Sequence, residues 1–201
     1  MSSFLGHSLV GSSIYWLVRP SQGNFSGKRF VWLLWLIVVA CAPDIDRLAI
    51  ALSSKANQGL RITHSIFFSL ILPCCTIVLL RLLGVKGRRL RDRSLQVILA
   101  GLSHPVLDLL VGVTLLPLLW PIALQRFKLP FGILPSAGRL QLSNYYLYRN
   151  LWIEMGALLP LLGGIFLLRR PRAKTPIQKA AIALLFLISA SFMYWGYSLP
   201  R

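Results

Sequence analysis

The sequence predicts an all-α fold, a polytopic bundle of about six helices that span a membrane. Hydrophobic residues make up 56% of its 201 residues and charged residues only 13%, whereas soluble domains have about 25% charged residues. The mean hydropathy is +0.67. Apolar stretches of roughly 20 residues recur along the chain, and such a stretch crosses a membrane as a helix because a helix satisfies its own backbone hydrogen bonds.

Polar or basic loops that contain Pro and Gly separate the predicted helices. The first two helices are short and can be re-entrant, residues 48–60 form a mixed interfacial segment, and a basic loop at 86–93 precedes the fourth helix. Because the chain shows no internal repeat, we predict one membrane domain over residues 1–201, with a core at 1–135 and a C-terminal helical hairpin at 136–201. The predicted spans are residues 4–18, 30–42, 62–83, 95–119, 151–168 and 180–199.

The net charge of +17 comes mainly from Lys and Arg residues in short loops. The first, third and fifth loops hold 14 of the 22 Lys and Arg residues, so the positive-inside rule places these loops in the cytoplasm. Anionic lipid headgroups are a sufficient partner for this charge. We therefore predict membrane lipids and not nucleic acid as partners, and an inner, cytoplasmic-type membrane as the location.

Histidines and acidic residues are scarce, which makes their positions informative. The chain has three histidines and five acidic residues. All three histidines and three of the acids lie in or beside apolar stretches, where insertion of a charged group costs roughly 2.5 to 3.5 kcal/mol. Residues placed there at such a cost usually serve a function or pair with one another. These six candidates are His7, Asp44, Asp46, His64, His104 and Asp108.

The predicted topology allows all six candidates to meet. Those in the first three spans lie at the span ends that face the non-cytoplasmic side. His104 and Asp108 lie in the fourth span, near mid-depth or beyond, and their i, i+4 spacing puts both side chains on one helix face. The six residues can therefore converge on one pocket that opens toward the outer interface.

Imidazole nitrogens and carboxylate oxygens together suit a divalent metal ion. Zn and Mn are the cofactors we expect, and six ligands are enough for two ions. A bound ion would activate water, with Asp44, Asp46 and Asp108 as catalytic residues. Arg47 and Arg61 flank the cluster and could bind an anionic group of the substrate. Three neighbouring hydroxyl groups could hydrogen-bond to the ligands, those of Thr63, Ser65 and Ser103.

Each candidate also has a purely structural interpretation. A single membrane histidine often forms a hydrogen bond between helices. Asp44 and Asp46 could cap a helix end or pair with Arg47 and Arg61. The sequence leaves open whether Glu154, near the start of the fifth span, joins the cluster.

Four short motifs in this order resemble a known family. They are Gly6-His7, Pro43–Asp46, Thr63–Ser65 and Gly101–Asp108, and they are similar to motifs of the membrane-bound metal-dependent hydrolases of the YdjM-like type, described as LexA-regulated in some bacteria. The similarity covers roughly residues 1–135. It implies an inner-membrane hydrolase in which the six candidates are the metal and catalytic residues.

One position departs from that pattern. The family commonly has a His-Arg-Gly run before the Thr-His-Ser motif, and this chain has Gly59–Ile62 instead, with Arg61 as the basic residue. We expect a metal-dependent hydrolase that acts on lipid or lipid-linked phosphoesters at the outer interface. Two alternatives remain, an ion or metal transporter and a structural membrane protein with a vestigial site.

Overall fold

The computed structural model describes residues 2–18, 27–46, 61–136, 143–169 and 175–200. Within these ranges the chain forms six α-helices and two short 3₁₀ helices. One 3₁₀ helix directly follows the second α-helix, and the other comes shortly before the third. The predicted interfacial segment 48–60 lies outside the described residues. The helices are α1 (Phe4–Val18), α2 (Gly27–Cys41), a 3₁₀ helix (Ala42–Asp44), a second 3₁₀ helix (Ile62–His64), α3 (Ile66–Leu82), α4 (Gly87–Val111), α5 (Tyr145–Leu168) and α6 (Pro176–Ser198).

Length and composition divide the helices into two classes. α4, α5 and α6 are long and apolar enough to cross a membrane, while α1 and α3 are shorter apolar helices. α1 and α2 have 15 residues each, which gives about 22 Å of helix against a hydrocarbon core of about 30 Å. The predicted fold class, a helical membrane bundle, is confirmed.

The predicted bounds of the fourth span are wrong at both ends. α4 begins at Gly87, so most of the predicted basic loop is helical, and it ends at Val111. The start is early because Arg and Leu favour helix, and long cationic side chains can reach the aqueous interface from a helix end. The end is early because Gly112 adopts a left-handed conformation with φ of 65° and terminates the helix. His104 and Asp108 therefore lie in the last two turns of α4.

Small residues let the helices approach closely around α1 and α4. α1 packs against α2, α4 and α5, α3 packs against α4, and α5 pairs with α6. A Cβ atom on Gly11 would lie 2.9 Å from the Cβ of Ala40 in α2, and a Cβ on Gly101 would lie 2.8 Å from Pro73 Cγ in α3. Such contacts are typical of membrane helices, which associate by close packing. They fix α2 and α3 against the two helices that supply His7, His104 and Asp108.

Candidate metal centre

The six candidate residues meet at one end of the bundle, where α1 and α3 begin and α2 and α4 end. His7 comes from the first turn of α1, and Asp44 ends the 3₁₀ helix after α2. His64 ends the 3₁₀ helix before α3. Ser65 then caps α3, since its side chain accepts a hydrogen bond from Phe68 N at 3.1 Å. Separate helix ends therefore bring together residues that are far apart in the sequence.

Asp108 is the centre of the cluster. Its Oδ2 atom lies 3.4 Å from His64 Nε2 and 3.5 Å from His104 Nε2, and its Oδ1 lies 3.6 Å from His7 Nε2. Asp44 Oδ1 lies 3.6 Å from His64 Nε2 and 4.0 Å from His104 Nε2. Asp108 and the three histidines have no solvent exposure.

A backbone hydrogen bond fixes the protonation of His104. Its Nδ1 lies 2.8 Å from the carbonyl oxygen of Ala40, and because a carbonyl only accepts, Nδ1 must carry the proton. The lone pair of Nε2 then points at the carboxylates. This is the outer contact that metal-binding histidines usually have. The ring of His7 stacks on that of His104, with centroids 3.9 Å apart, and the ring of His64 meets His104 edge-on at 5.0 Å.

Several polar atoms in this cluster have no hydrogen-bond partner. They are both ring nitrogens of His7, Nε2 of His64, Nε2 of His104 and Oδ2 of Asp108. A buried polar group without a partner costs about 1 to 3 kcal/mol, so proteins rarely collect several in one place. Coordination of a cation would satisfy one nitrogen of each histidine together with Oδ2 of Asp108. The residues present therefore fit a metal ion.

The ligand atoms form three overlapping groups, in each of which all atoms lie within 4.8 Å of one another. Neighbouring groups share residues, so together they form a single compact centre. The groups are His7, Asp44 and His104; His64, His104 and Asp108; and Asp44, Asp46 and His64.

Comparison with known families identifies the chain. The family model described as YdjM inner membrane protein matches residues 1–197. The chain belongs to the YdjM family. It is an integral protein of the inner membrane, as predicted, and the match extends past residue 135 through α5 and α6. No curated protein and no solved structure matches this YdjM family member.

Glu154 of α5 joins the centre indirectly, a role that the sequence alone left open. Ser2 Oγ donates a hydrogen bond to Glu154 Oε1, and Ser3 N donates to both carboxylate oxygens, at 3.0 and 3.3 Å. The backbone nitrogen of Ser2 then donates to Asp108 Oδ1 at 2.8 Å. Glu154 therefore fixes the segment that orients Asp108, with Oδ2 of Asp108 facing the histidines.

Arg61 pairs with one of the candidate ligands. It donates to Asp46 from Nε at 2.7 Å and from Nη2 at 2.8 Å, a two-point contact that fixes the carboxylate plane. Asp46 Oδ2 lies 3.9 Å from His64 Nδ1. The side chains of Arg61 and Asp46 are 21% and 18% exposed, so this is the open edge of the centre. Arg47 lies outside the described residues.

The three neighbouring hydroxyl groups differ in their contacts. Thr63 Oγ1 lies 2.9 Å from His64 Nδ1, so it contacts a ligand ring. Ser65 accepts from the backbone of α3, and Ser103 Oγ donates to the carbonyl oxygen of Ala100 at 2.7 Å. Of these three hydroxyl groups, only that of Thr63 hydrogen-bonds to one of the ligands.

The centre also requires a residue without a side chain at position 6. A Cβ on Gly6 would overlap the carboxylate of Glu154 and lie 2.8 Å from Ser2 Oγ. We expect Gly6→Ala to displace Glu154 and to weaken metal binding by about tenfold, as for loss of an outer contact. Gly163→Ala is the matched control, because its Cβ would have no neighbour closer than Leu185 Cδ1 at 3.9 Å.

Zn affinity, from competition with a chromogenic chelator, and thermal unfolding of both purified variants would test this prediction. Gly163→Ala should keep its metal and gain about 0.5 to 1 kcal/mol of helix stability. Equal metal affinity in the two variants would contradict the assigned contact between position 6 and Glu154.

Proposed function

We propose that this chain is a metal-dependent hydrolase that cleaves phosphoesters of lipids or lipid-linked molecules at the membrane interface. One observation carries the proposal. Three buried ligand atoms without hydrogen-bond partners, on Asp108, His64 and His104, face one another across 3.4 and 3.5 Å. A histidine that only joined two helices would have a polar partner for its inward nitrogen.

The spacing supports Zn first and Mn second. Ligands at about 2.1 Å from a tetrahedral ion lie about 3.4 Å from one another, whereas octahedral ligands at the same distance are about 3.0 Å apart. The separations around Asp108 Oδ2 match the tetrahedral value. Neutral imidazole with carboxylate is also the ligand set that Zn commonly takes.

The carboxylates have different roles in the proposed hydrolytic step. A bound ion supplies Lewis-acid polarisation of the phosphoryl oxygen and acidifies water. The water oxygen forms a bond to phosphorus, the bond from phosphorus to the leaving oxygen breaks, and the proton of water passes to a base before it reaches the leaving group. Asp46 suits the base because it lies at the open edge and Arg61 fixes its plane; Asp44, 8% exposed, is the second choice.

The position of the centre favours a lipid substrate. The residues at the open edge lie at the end of α2 and the start of α3, and the ends of membrane helices lie at headgroup depth. The positive charge of Arg61, with that of Arg47, suits a phosphate.

Hydrolysis by the purified full-length protein tests this proposal. The protein, loaded with Zn or Mn, is mixed with liposomes that contain a phosphomonoester lipid (phosphatidate) or a phosphodiester lipid (phosphatidylglycerol), and the released phosphate or headgroup is measured. We expect cleavage of one class that stops with chelator, returns with metal, and falls at least about 100-fold in a His64→Ala/His104→Ala variant. Bound metal with no cleavage of either class would overturn the hydrolase, and metal uptake into proteoliposomes would then support the transporter.

A further inference from the structure

A second feature lies along most of α2, and its charged end is the one away from the metal centre. A groove of about 530 Å³ runs between α2 and α3. Apart from Thr76, Lys28 and Arg93, the side chains that line it are apolar, and they include Val31, Val38 and Leu79. The groove opens on the outside of the bundle, because the side chains of these three residues are at least half exposed.

The polar atoms in the groove wall are already paired within the protein. Trp32 Nε1 donates to Gln96 Oε1 at 2.7 Å, and Trp35 Nε1 donates to Thr76 Oγ1 at 3.1 Å. Thr76 Oγ1 in turn donates to the carbonyl oxygen of Leu72 at 2.7 Å. The wall therefore offers aromatic and aliphatic surface without free polar groups, a surface that suits an acyl chain and not a sugar or a peptide backbone.

Two cations belong to the same groove. Lys28 lies in the first turn of α2, and Arg93 lies in the second turn of α4. The guanidinium carbon of Arg93 is 4.6 Å from the centroid of the Trp32 ring, so a cation–π contact holds this charge at the groove wall. Both residues are at the basic helix ends that the Lys and Arg distribution assigns to the cytoplasmic side.

The dimensions of the groove match one leaflet of a bilayer. From Lys28 to Val38 the rise along α2 is about 15 Å, half of a hydrocarbon core of about 30 Å. An occupant with its charge at Lys28 and its chain alongside Val38 would therefore span one leaflet, as a single phospholipid does.

We propose that this groove is a binding site for one anionic phospholipid of the cytoplasmic leaflet. Lys28 and Arg93 bind its phosphate, and an acyl chain lies along Val31, Trp35 and Val38. Charge complementarity selects an anionic headgroup over a zwitterionic one, because the described residues that line the groove include two cations and no acid. This lipid is not the proposed substrate, since the metal centre lies beyond the opposite end of α2.

Native mass spectrometry of the full-length protein in mild detergent tests the site, with phosphatidylglycerol and phosphatidylcholine titrated separately. We expect wild-type protein to retain one phosphatidylglycerol more tightly than phosphatidylcholine. In a Lys28→Gln/Arg93→Gln variant the affinity for phosphatidylglycerol should fall by about 30-fold. The matched control is Arg88→Gln/Arg91→Gln, which removes the same charge from exposed positions of α4 outside the groove, and it should change the affinity by less than about threefold.

A second variant tests the proposed contact with the acyl chain and leaves Lys28 and Arg93 in place. Val38→Trp fills the deep end of the groove, and phosphatidylglycerol retention should then be lost while the protein stays folded. The proposal is overturned if phosphatidylcholine binds wild-type protein equally well, or if the control pair weakens binding as much as the groove pair. Unchanged retention in Val38→Trp would also overturn it, because the lipid would then lie elsewhere on the basic surface.

Discussion

Asp108→Asn is expected to weaken metal binding by a large factor while the protein remains inserted and folded. Asp108 contacts all three histidines, at 3.4, 3.5 and 3.6 Å, so the change removes a carboxylate charge that faces all of them. Asparagine keeps the shape, and its amide oxygen can still accept the hydrogen bond from Ser2 N. A neutral amide is a much weaker ligand than a carboxylate, so we expect metal affinity and phosphoester cleavage to fall at least about 100-fold.

Asp92→Asn is the matched control for this variant. It makes the same chemical change in the same helix, in its first turns and far from the histidines. Elemental mass spectrometry and competition with a chromogenic chelator would compare the two variants. If Asp108→Asn kept wild-type metal content and affinity, the centre described here would not be the metal site.

Glu154→Leu should have the second largest effect, and it should act on both stability and metal affinity. Removal of the carboxylate leaves Ser2 Oγ and Ser3 N without acceptors in a buried position, at about 1 to 3 kcal/mol each. The released segment would no longer hold Asp108 Oδ1. We therefore expect a lower unfolding temperature and a metal affinity reduced by about 10- to 100-fold. Glu154→Gln, which keeps one acceptor oxygen, should lie between this variant and the wild type.

Ser189→Ala is the control that distinguishes the positioning role of Glu154 from its contribution to protein stability. Ser189 Oγ donates to the carbonyl oxygen of Ala157 at 2.7 Å, a buried contact between α5 and α6 away from the histidines. Its loss should cost about 1 kcal/mol of stability and leave the metal affinity unchanged. A Glu154 variant that bound metal like Ser189→Ala, measured well below its unfolding temperature, would limit Glu154 to a structural role.

The hydrophobic pattern of the sequence predicted which segments are helical but not where each helix begins and ends. Apolar runs identify what lies in the hydrocarbon core, but a helix continues past that core as long as its residues favour helix and no terminator intervenes. For this reason α4 includes the arginines that the pattern assigned to a loop. Its other end depends on the backbone of Gly112, whose left-handed conformation no hydropathy pattern reveals.

The candidate site could be predicted further than the fold details because histidines and acidic residues are so few. Scarcity and topology together selected six residues, and the structure brings all six together. The roles of Ser2 and Ser3 could not be predicted, since serines are common and their contact with Glu154 spans about 150 positions of the sequence. A signal for Glu154 did exist, because a lone acid within an apolar span is costly unless it has partners.

The contact between Glu154 and the first residues has a consequence for biogenesis. Every proposed metal ligand has been synthesised once Asp108 is made, yet the carboxylate that secures Ser2 and Ser3 arrives only with α5. The centre therefore acquires its final geometry only after the fifth helix has entered the membrane. Stable metal loading would then follow insertion of α5, so that a chain stalled or cleaved before this helix would not retain its metal.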